Sequence, residues 1–478
     1  MSFMNAPRAA LTRFEPIAIV IAALAAYRTG GFIRYPYADG DLFWQRRLGE
    51  YVIAHHAIPN ALGTDVFSAA GAPWLPQEWL FSIFAAIAFD HHALWALAVI
   101  CGLLAAAALA IVAWRAVRAG ASTGPVALVV FFAAICISPT FAPRAEICAW
   151  PLFALALLVL DAEGPVLWSL VPIAILWANL HASVAILVPI VWLNAAIYAW
   201  SSRHNAAGLR TRLLLCIAVP LAMLCTPFGI RLPIYAFELL HSPIRAYISQ
   251  WSPINFESVY IRFGFLPLAV LLVVALFRRV WKTRPFDVAL AVVLALLSVF
   301  AIRNTALFAL AVTVPASLAF GRLKRTRNFF DRFHPALVAA VGLLVVVPLF
   351  GWFGVALGSP GIQWPGPFGS VQHLAAQPGE HRLFCAEYSW CSVALGEPNI
   401  RIFLDGRADP YPASVWAAHF AITKALPGWQ ALMASYGVNA VIAWRGGFFE
   451  SQMQTLPRWR EITDTGDPCC VLFVKTRR

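Results

Sequence analysis

Charged residues are scarce in this sequence, and their scarcity excludes most kinds of soluble protein. Only 12% of the 478 residues are Asp, Glu, Lys or Arg, whereas 61% are hydrophobic. So few charges would leave a soluble chain of this length without a polar surface, and the composition therefore indicates a polytopic membrane protein. The first apolar run also lacks a small-residue cleavage site and a polar chain after it, so no cleavable signal peptide is expected.

Acidic residues are fewer than basic ones, and the net charge of +12 raises the question of a nucleic-acid partner. The distribution argues against one, because the basic residues form short clusters between apolar runs, such as "GRLKRTRNFFDRF". Clusters of this kind are typical of the positive-inside rule, which keeps Lys and Arg in the cytoplasm. No nucleic acid is expected as a partner, membrane lipids are, and the N-terminus is predicted to be cytoplasmic.

The apolar runs predict about eleven transmembrane helices. A span needs about 20 apolar residues, and fewer inside a bundle. The runs lie near 15–33, 92–114, 124–141, 147–161, 165–179, 182–200, 213–227, 264–277, 286–301, 305–320 and 335–357. An odd number of spans places the C-terminal part on the outer side. The expected fold class is an all-α polytopic bundle, multi-pass in a bacterial inner membrane, with a small C-terminal α/β domain in the periplasm.

The composition changes after residue 358. A Pro/Gly linker, "SPGIQWPGPFGS", precedes a segment in which short strands and helices alternate. Strands are predicted at "RLFC", "IRIFLD", "NAVIAW" and "CVLFVK", and helices around 412–426 and 428–436. The predicted domains are therefore a transmembrane domain over 1–358 and a periplasmic α/β domain over 359–478.

Cysteines in the metal-binding CxxC spacing are absent, so the nine Cys residues indicate no structural metal site. Five of them lie in or beside apolar spans, where small buried hydrophobic residues are expected. The others are Cys385, Cys391, Cys469 and Cys470. In an oxidising compartment Cys385 and Cys391 could close a hairpin, or pair with Cys469 or Cys470, and the sequence does not choose between these pairings.

Polar residues at the ends of the predicted spans fall mainly on the outer face. They come from at least six loops or helix ends, and polar groups near a membrane tend to face a cavity or one another. The sequence therefore predicts one outward-facing polar cavity as the site. Its candidate residues are Asp39, Asp41, Gln77, Glu78, Arg144, Asn179, His181, Arg231, Arg303 and Asn304.

The first outer loop carries the most information. An apolar stripe predicts an amphipathic helix lying along the membrane surface, and its residues are Trp44, Leu48, Tyr51, Val52 and His55. Asp41 either caps this helix or takes part in catalysis, whereas Asp39 has no evident structural role. Gln77 and Glu78 open a second predicted interfacial helix, where they are either ordinary first-turn residues or members of the site.

Three later positions also admit two interpretations. Arg144 either pairs with the nearby Glu146 or binds a phosphate through its planar fork. Asn179 and His181 lie at a break between two apolar helices, and such irregular backbone must line protein or water. Arg303 lies alone between two apolar runs, either as a positional anchor or as a binding residue.

Several segments resemble, in order, those of bacterial polytopic proteins related to the C-type (GT-C) glycosyltransferases. The first outer loop, "DGDLFWQRRLGEYVIAHHAIPNALGTDVFSAAGAPWLPQEWL", is followed by "APRAEI", "WANLHAS", "CTPFGIRLPIYAFELL", "ISQWSPINF" and "AIRNTALFAL". The segments "VALGEPNIRIFLDGRADPY" and "YGVNAVIAW" resemble the outer tail domain of that family. Two positions depart from the pattern, since Gln45 and Gln77 stand where the family often has His.

The resemblance implies transfer of a sugar from a polyprenyl-phosphate donor to a glycan, lipid or protein acceptor at the outer membrane surface. Asp39 or Asp41 would accept the proton of the acceptor hydroxyl. Arg144, Arg231 and Arg303 would stabilise the departing phosphate. In the tail, Asp405 and Arg407 either stabilise a turn or bind the acceptor. Some relatives hold a divalent metal ion and others do not, so the metal stays open.

Two other functions compete with this one. A lipid or glycan transporter of envelope polymer assembly would carry polar residues in the middle of its spans, at broken helices. A non-catalytic membrane scaffold is the second alternative, and the two departures at Gln45 and Gln77 favour it. A common pocket for the first-loop acids and the arginines would distinguish an enzyme from both.

Overall fold

The computed structural model describes residues 15–34, 39–201, 205–321 and 366–476. The chain forms two compact units, each drawn from three segments. The helical unit comprises Met1–Arg34, Ala98–Ala236 and Ser249–Pro360. The mixed unit comprises Tyr35–Leu97, Phe237–Ile248 and Gly361–Arg478. The first loop thus belongs to the same compact unit as the tail, and the predicted division into a membrane part and a periplasmic part at residue 358 stays a prediction.

Helices account for most of the described residues before 322. The α-helices are α1 (Glu15–Arg34), α2 (Asp41–His55), α3 (Trp79–Asp90), α4 (Leu94–Arg118), α5 (Thr123–Ile137), α6 (Glu146–Leu160), α7 (Leu170–Leu180), α8 (Leu187–Ser201), α9 (Ala206–Ala222), α10 (Arg231–His241), α11 (Leu266–Phe277), α12 (Pro285–Phe300) and α13 (Thr305–Gly321). Short 3₁₀ turns extend several of them, and a π-turn precedes α11.

Five helical segments in the described part of the chain are long and apolar enough to cross a membrane. They are Glu15–Arg34, Leu94–Arg118, Thr123–Thr140, Ala182–Ser201 and Ile302–Gly321. Shorter helices occupy five other predicted spans, and the predicted span at 335–357 lies outside the described residues. The protein is therefore a multi-pass membrane protein, while the number of eleven spans stays a prediction.

The helical unit is built around α13. Nearly three-quarters of its most apolar stretch is buried (72%), against 22% for α1. It contacts α5, α11 and α12, whose inner faces bury residues such as Val126, Leu268 and Leu294. Large apolar side chains lie exposed on the outer faces, among them Ile217 on α9 and Val270 on α11. Exposed apolar surface of this extent is typical of contact with lipid rather than water.

The mixed unit contains a five-stranded sheet flanked by short helices. Its elements are α14 (Phe368–Ala375), β1 (His381–Cys385), β2 (Ile400–Ile402), α15 (Ala413–Thr423), α16 (Trp429–Ser435), β3 (Ala440–Trp444), α17 (Phe448–Gln454), β4 (Trp459–Ile462) and β5 (Cys470–Lys475). The strand order is β2-β1-β3-β5-β4, with β2, β1 and β3 parallel and β5 and β4 antiparallel. The four predicted strands and two predicted helices are confirmed. The sequence analysis missed the edge strand β4.

The first loop contributes to the hydrophobic core of this sheet. Val66 forms a bridge with Ile402 at the end of β2, and the Phe67 N–H donates to the Ile402 carbonyl at 3.0 Å. On α2, Trp44 and Leu48 are buried in the same core. The stripe predicted to lie along the membrane surface therefore packs against the core of the sheet through Trp44, Leu48 and Val52.

A disulfide joins Cys385, at the end of β1, to Cys391 in the following 3₁₀ turn. This selects the hairpin among the pairings that the sequence left open. Cys469 and Cys470 carry free thiols whose Sγ atoms lie 3.3 Å apart.

Candidate functional site

Two of the helices place polar residues at both of their ends. Arg144 precedes α6 and Asp161 follows it, while Asp287 lies in the first turn of α12 and Arg303 lies just beyond its last turn. With a rise of 1.5 Å per residue, each helix separates its two end groups by roughly 20–25 Å. The polar residues of the helical unit therefore form two groups at opposite ends of the same helices.

One of these groups is centred on His181. The side chain of His181 is buried at the break between α7 and the next 3₁₀ turn, where its Nδ1 accepts the Ser183 N–H at 3.0 Å. Burial, reinforced by the positive charges of Arg303 and Arg144, lowers the pKa of His181 to about 3. The imidazole is therefore neutral near pH 7, and the two arginines that the sequence placed on one face do lie near it.

Aromatic contact fixes the guanidinium of Arg303. Its Cζ lies 4.6 Å from the centre of the Trp251 ring, a stacking geometry that leaves the edge of the guanidinium able to donate hydrogen bonds. The adjacent Asn304 donates from Nδ2 to the Leu297 carbonyl at 3.1 Å and so closes the last turn of α12. Arg303 thus has the geometry of a binding residue, and Asn304 that of a helix cap.

Asn179 and Arg231 are placed differently. The Asn179 amide donates to two backbone carbonyls, at 2.8 Å to Ile175 and 2.9 Å to Cys225. The side chain therefore ties the end of α7 to the chain after α9. Arg231 is exposed at the first position of α10, and its part in a common site stays a prediction.

The group at the opposite helix ends was missed by the sequence analysis. Arg115 is completely buried and donates to Asp161 and Asp287, each at 2.9 Å. Arg284 adds a 3.2 Å contact to Asp161. Arg115 directly follows the predicted span at 92–114, where the positive-inside rule accounts for a basic residue, and its two acidic partners are 46 and 172 residues away along the chain. No local pattern signals such a pairing.

In the mixed unit, the two first-loop acids hold the start of α2. The Asp41 N–H donates to the Asp39 carboxylate at 3.0 Å, and the Trp44 indole donates to the Asp41 carboxylate at 3.1 Å. Gly40 is the N-cap residue. The alternative of Asp41 as the cap is therefore wrong, and Asp39, which has no structural role evident from the sequence, supplies the carboxylate that accepts the first N–H of the helix.

Gln45 and Gln77, the two residues that depart from the family pattern, both contact the carboxylate of Glu78. Gln45 donates to it at 2.5 Å and Gln77 at 3.0 Å. The contact is possible because α2 and α3 approach closely at Gly49, where a Cβ would collide with the Ser82 carbonyl. Each glutamine amide thus supplies an N–H donor to one carboxylate, as a neutral imidazole would.

Asp405 and Arg407 form the ion pair that the sequence offered as a turn-stabilising alternative. Both side chains are buried, and Arg407 Nε donates to the Asp405 carboxylate at 2.9 Å. The guanidinium also lies 5.0 Å from the centre of the Trp74 ring. Between the pair, Gly406 approaches the first loop so closely that a Cβ would lie 2.7 Å from Asp41 Oδ1. The tail loop therefore covers one side of the Asp41 carboxylate.

A further acid near α2 was not singled out from the sequence. Glu387 follows β1, and its carboxylate accepts the Ser389 hydroxyl at 3.2 Å. Ser389 in turn lies against Gly40, where a Cβ would be 3.1 Å from the serine Cβ. Burial raises the pKa of Glu387 above its ordinary value, which is typical of a carboxyl group suited to proton transfer. The proximity of Glu387 to α2 arises only from folding, so no local pattern marks this residue.

The candidate site residues that the structure describes do not fit a resident metal ion. Among the described residues, no three His, Cys, Asp or Glu side chains come together in a group that could hold one. Asp39 and Asp41 already accept hydrogen bonds from α2, and both oxygens of Glu78 accept glutamine amides. No step of the reaction below is therefore assigned to a metal.

No protein-family profile matches this chain, and a search of curated proteins finds no match. Solved structures do match. The chain is similar to the archaeal oligosaccharyltransferase AglB from Archaeoglobus fulgidus in complex with an inhibitory peptide and a dolichol-phosphate, with a TM-score of 0.58 and 12% identity over 97% of this chain and 74% of that one. The apo form of an oligosaccharyltransferase from the same organism gives a TM-score of 0.56 and 13% identity, over 89% and 69%.

This similarity concerns the fold. At 12–13% identity the sequences share too little for residue roles to be transferred, and a similarity that covers 89–97% of this chain shows the fold alone. The predicted architecture, a multi-pass helical bundle with a small C-terminal sheet domain, is thereby supported at the level of the fold.

Proposed function

We propose that this protein is a membrane glycosyltransferase. It moves a sugar from a polyprenyl-phosphate-linked donor to an envelope glycan, lipid or protein acceptor on the outer face of the bacterial inner membrane. The observation that carries the proposal is the pair of arginines, Arg144 and Arg303, beside the neutral His181 at one end of the helices. The similarity to an oligosaccharyltransferase in complex with a dolichol-phosphate supports a lipid-linked donor.

The reaction needs a base on the acceptor and positive charge on the leaving group. The acceptor hydroxyl gives its proton to a carboxylate as its oxygen bonds to the anomeric carbon of the donor sugar. The bond from that carbon to the lipid phosphate breaks, and its electron pair leaves with the phosphate. Guanidinium groups fixed before the reaction stabilise this developing charge without having to reorganise.

Named residues of this chain would supply both requirements. Asp39 and Asp41 are the candidate bases, and the raised pKa of Glu387 adds it as a third. Arg144, Arg231 and Arg303 would hold the phosphate, with His181, Asn179 and Asn304 shaping the surroundings. Gln77 and Glu78 would bind substrate, and Asp405 with Arg407 would bind the acceptor, through the tail loop that covers Asp41.

The decisive experiment is sugar transfer by the purified full-length protein from radiolabelled polyprenyl-phosphate sugars to an envelope extract. We expect Asp39→Asn or Asp41→Asn to reduce transfer at least 100-fold. Asparagine keeps an acceptor oxygen for the Asp41 N–H or the Trp44 indole, so α2 keeps its start while the base is lost. Arg118→Gln is the matched control, because Arg118 is exposed and stacks only on its neighbour Trp114 among the contacts described.

Transfer that survives both Asp substitutions and Glu387→Gln would overturn the assigned base. A wild-type protein that binds polyprenyl-phosphate sugars but transfers none would favour the scaffold or transporter instead. The engagement of both first-loop acids in α2 hydrogen bonds is the observation that favours that second candidate.

A further inference from the structure

Two adjacent cysteines of the mixed unit lie outside the residues assigned to sugar transfer. Cys469 lies at a bend, and Cys470 is the first residue of β5. Successive side chains of a regular strand point to opposite faces of its sheet, which keeps neighbouring thiols apart. The bend interrupts this alternation and brings the two Sγ atoms within 3.3 Å of each other. Both thiols are free, so the chain before β5 carries two reduced sulfurs in direct contact.

The backbone of this pair is held by Arg445. Its N–H donates to the Cys469 carbonyl at 2.9 Å, and its Nη2 donates to the Cys470 carbonyl, also at 2.9 Å. Cys469 is partly exposed and Cys470 is buried, so a reagent in solution reaches Cys469 first. The hydrogen bond between the two thiols lowers the pKa of Cys469 and raises that of Cys470. Cys469 is therefore the more reactive sulfur, because the thiolate is the nucleophile.

We propose that Cys469 and Cys470 form a redox site, which closes into a disulfide between adjacent residues by exchange with a disulfide oxidant. The disulfide between Cys385 and Cys391 in the same unit indicates that this part of the chain meets such an oxidant. Adjacent Cα atoms are about 3.8 Å apart, below the range of about 4.4–6.8 Å that is usual for disulfides. The new bond is therefore strained, and strained disulfides are the easily reduced ones. The pair is suited to reversible oxidation rather than to a permanent cross-link.

The exchange takes place in two steps. The Cys469 thiolate attacks one sulfur of the oxidant, whose disulfide bond breaks and releases one thiolate. Cys470 then gives its proton to solvent and attacks Cys469 Sγ, which releases the second thiolate of the oxidant. The two released thiolates take up the two protons that the cysteines lost. Both electrons pass from the cysteine pair to the oxidant, which becomes two thiols.

Oxidation acts on the start of α14 through Ser370. The Ser370 side chain contacts the Cys470 thiol, and its hydroxyl donates to the Asp467 carboxylate at 2.6 Å. That carboxylate also accepts two N–H groups in the first turn of α14, at 2.6 and 2.8 Å. Phe368, the first residue of α14, packs on Phe43 of α2 with 5.7 Å between the ring centres. Ring closure removes the Cys470 proton and displaces its sulfur, so we expect these contacts at the start of α14 to loosen.

Redox titration of the full-length protein in buffers of glutathione and glutathione disulfide tests the proposal. After alkylation and trypsin digestion without reductant, Cys469 and Cys470 lie in one peptide, 461–475, and Cys385 and Cys391 lie in another, 383–401. As the buffer becomes more oxidising, we expect peptide 461–475 to change from the dialkylated form to an unalkylated form that lacks two hydrogen atoms. Peptide 383–401 should stay oxidised throughout and is the internal control.

Two variants resolve the order of the steps. Cys470→Ser should stop at the mixed disulfide, so that Cys469 keeps the glutathione. Cys469→Ser should react at least tenfold more slowly, because Cys470 is buried. Hydrogen exchange in the first turn of α14 should become at least tenfold faster when the wild type is oxidised, and should not respond when both cysteines are replaced by serine.

The proposal would be overturned by a wild-type pair that stays dialkylated at every glutathione ratio, or that retains glutathione without closing. A bond from either cysteine to Cys385 or Cys391 would overturn it as well. Unchanged exchange in α14 after ring closure would overturn the link through Ser370. None of these outcomes depends on sugar transfer, because oxidation and exchange are measured without any enzymatic reaction.

Discussion

The two polar ends of the helical unit carry the same residue type in opposite settings. At one end Arg115 is completely buried and shared between Asp161 and Asp287. At the other end Arg303 lies on the Trp251 ring and, with Arg144, beside the neutral His181. At the first end, two carboxylates neutralise the charge of Arg115. At the second end, the positive charges of Arg303 and Arg144 lie beside a neutral imidazole.

The two arrangements have different physical consequences. A buried arginine shared by two carboxylates is compensated within the protein, as Arg115 is through Nε and Nη2, and breaking such a pair leaves an uncompensated charge. An arginine held by an aromatic face keeps donors for a ligand. We therefore propose that the Arg115 end serves stability and the His181 end serves binding, and each proposal can be tested by substitution.

The largest effect on stability is expected at the Arg115 end. Asp287→Asn removes one of the two carboxylates and should lower the free energy of unfolding by about 3 kcal/mol, because Arg115 stays buried and charged. Unfolding monitored by tryptophan fluorescence in detergent measures this change. Replacing both residues, as Arg115→Met with Asp287→Leu, should recover most of the loss. A single variant as stable as wild type would remove the distinction between the two ends.

The opposite pattern is expected at the His181 end. Arg303→Gln should lower the rate of sugar transfer about 100-fold, through the lost stabilisation of the leaving phosphate. Its stability should fall by less than about 1 kcal/mol, the size of a cation–π contact. Transfer rate and unfolding are measured on the same preparation. A large stability loss with transfer per folded molecule unchanged would make Arg303 structural, like Arg115.

A smaller effect comes from a buried imidazole in the mixed unit. Burial lowers the pKa of His419 to about 4, although its contact with the Cys385 carbonyl acts in the other direction. Between pH 6.5 and pH 4 the unfolded chain binds the extra proton, so stability is complete above pH 6.5 and falls as the pH is lowered. At pH 5 the loss should be about 2 kcal/mol.

Hydrogen exchange of peptides from β1 and β3 measures this loss, since both strands belong to the same sheet as the Cys385 carbonyl. His419→Gln keeps a donor for that carbonyl but does not titrate, so its exchange rates should not depend on this ionisation. Equal pH dependence in the two proteins would mean that another group controls the stability of the sheet.

Part of this architecture could be predicted from the sequence because its signals are local. Long apolar runs predicted α1, α4, α5 and α13 within a few residues, and the strands β1, β2, β3 and β5 followed from short β-branched and aromatic runs. The alternation of apolar and polar residues did not predict β4, because "WREI" forms an edge strand with an exposed arginine. Edge strands tolerate such charges, so their pattern is weak.

The sequence by itself determined that this is a membrane protein, where its helices lie, and that Arg144, His181 and Arg303 belong to one end of them. These properties depend on apolar run length and on the cost of charge in lipid, which act residue by residue. Only the tertiary structure decided that the first loop completes the core of the tail sheet, that Arg115 is shared by two distant acids, and that Asp39 and Asp41 hold α2. Those contacts join residues far apart in the chain, and their energies depend on burial and distance, which no local pattern encodes.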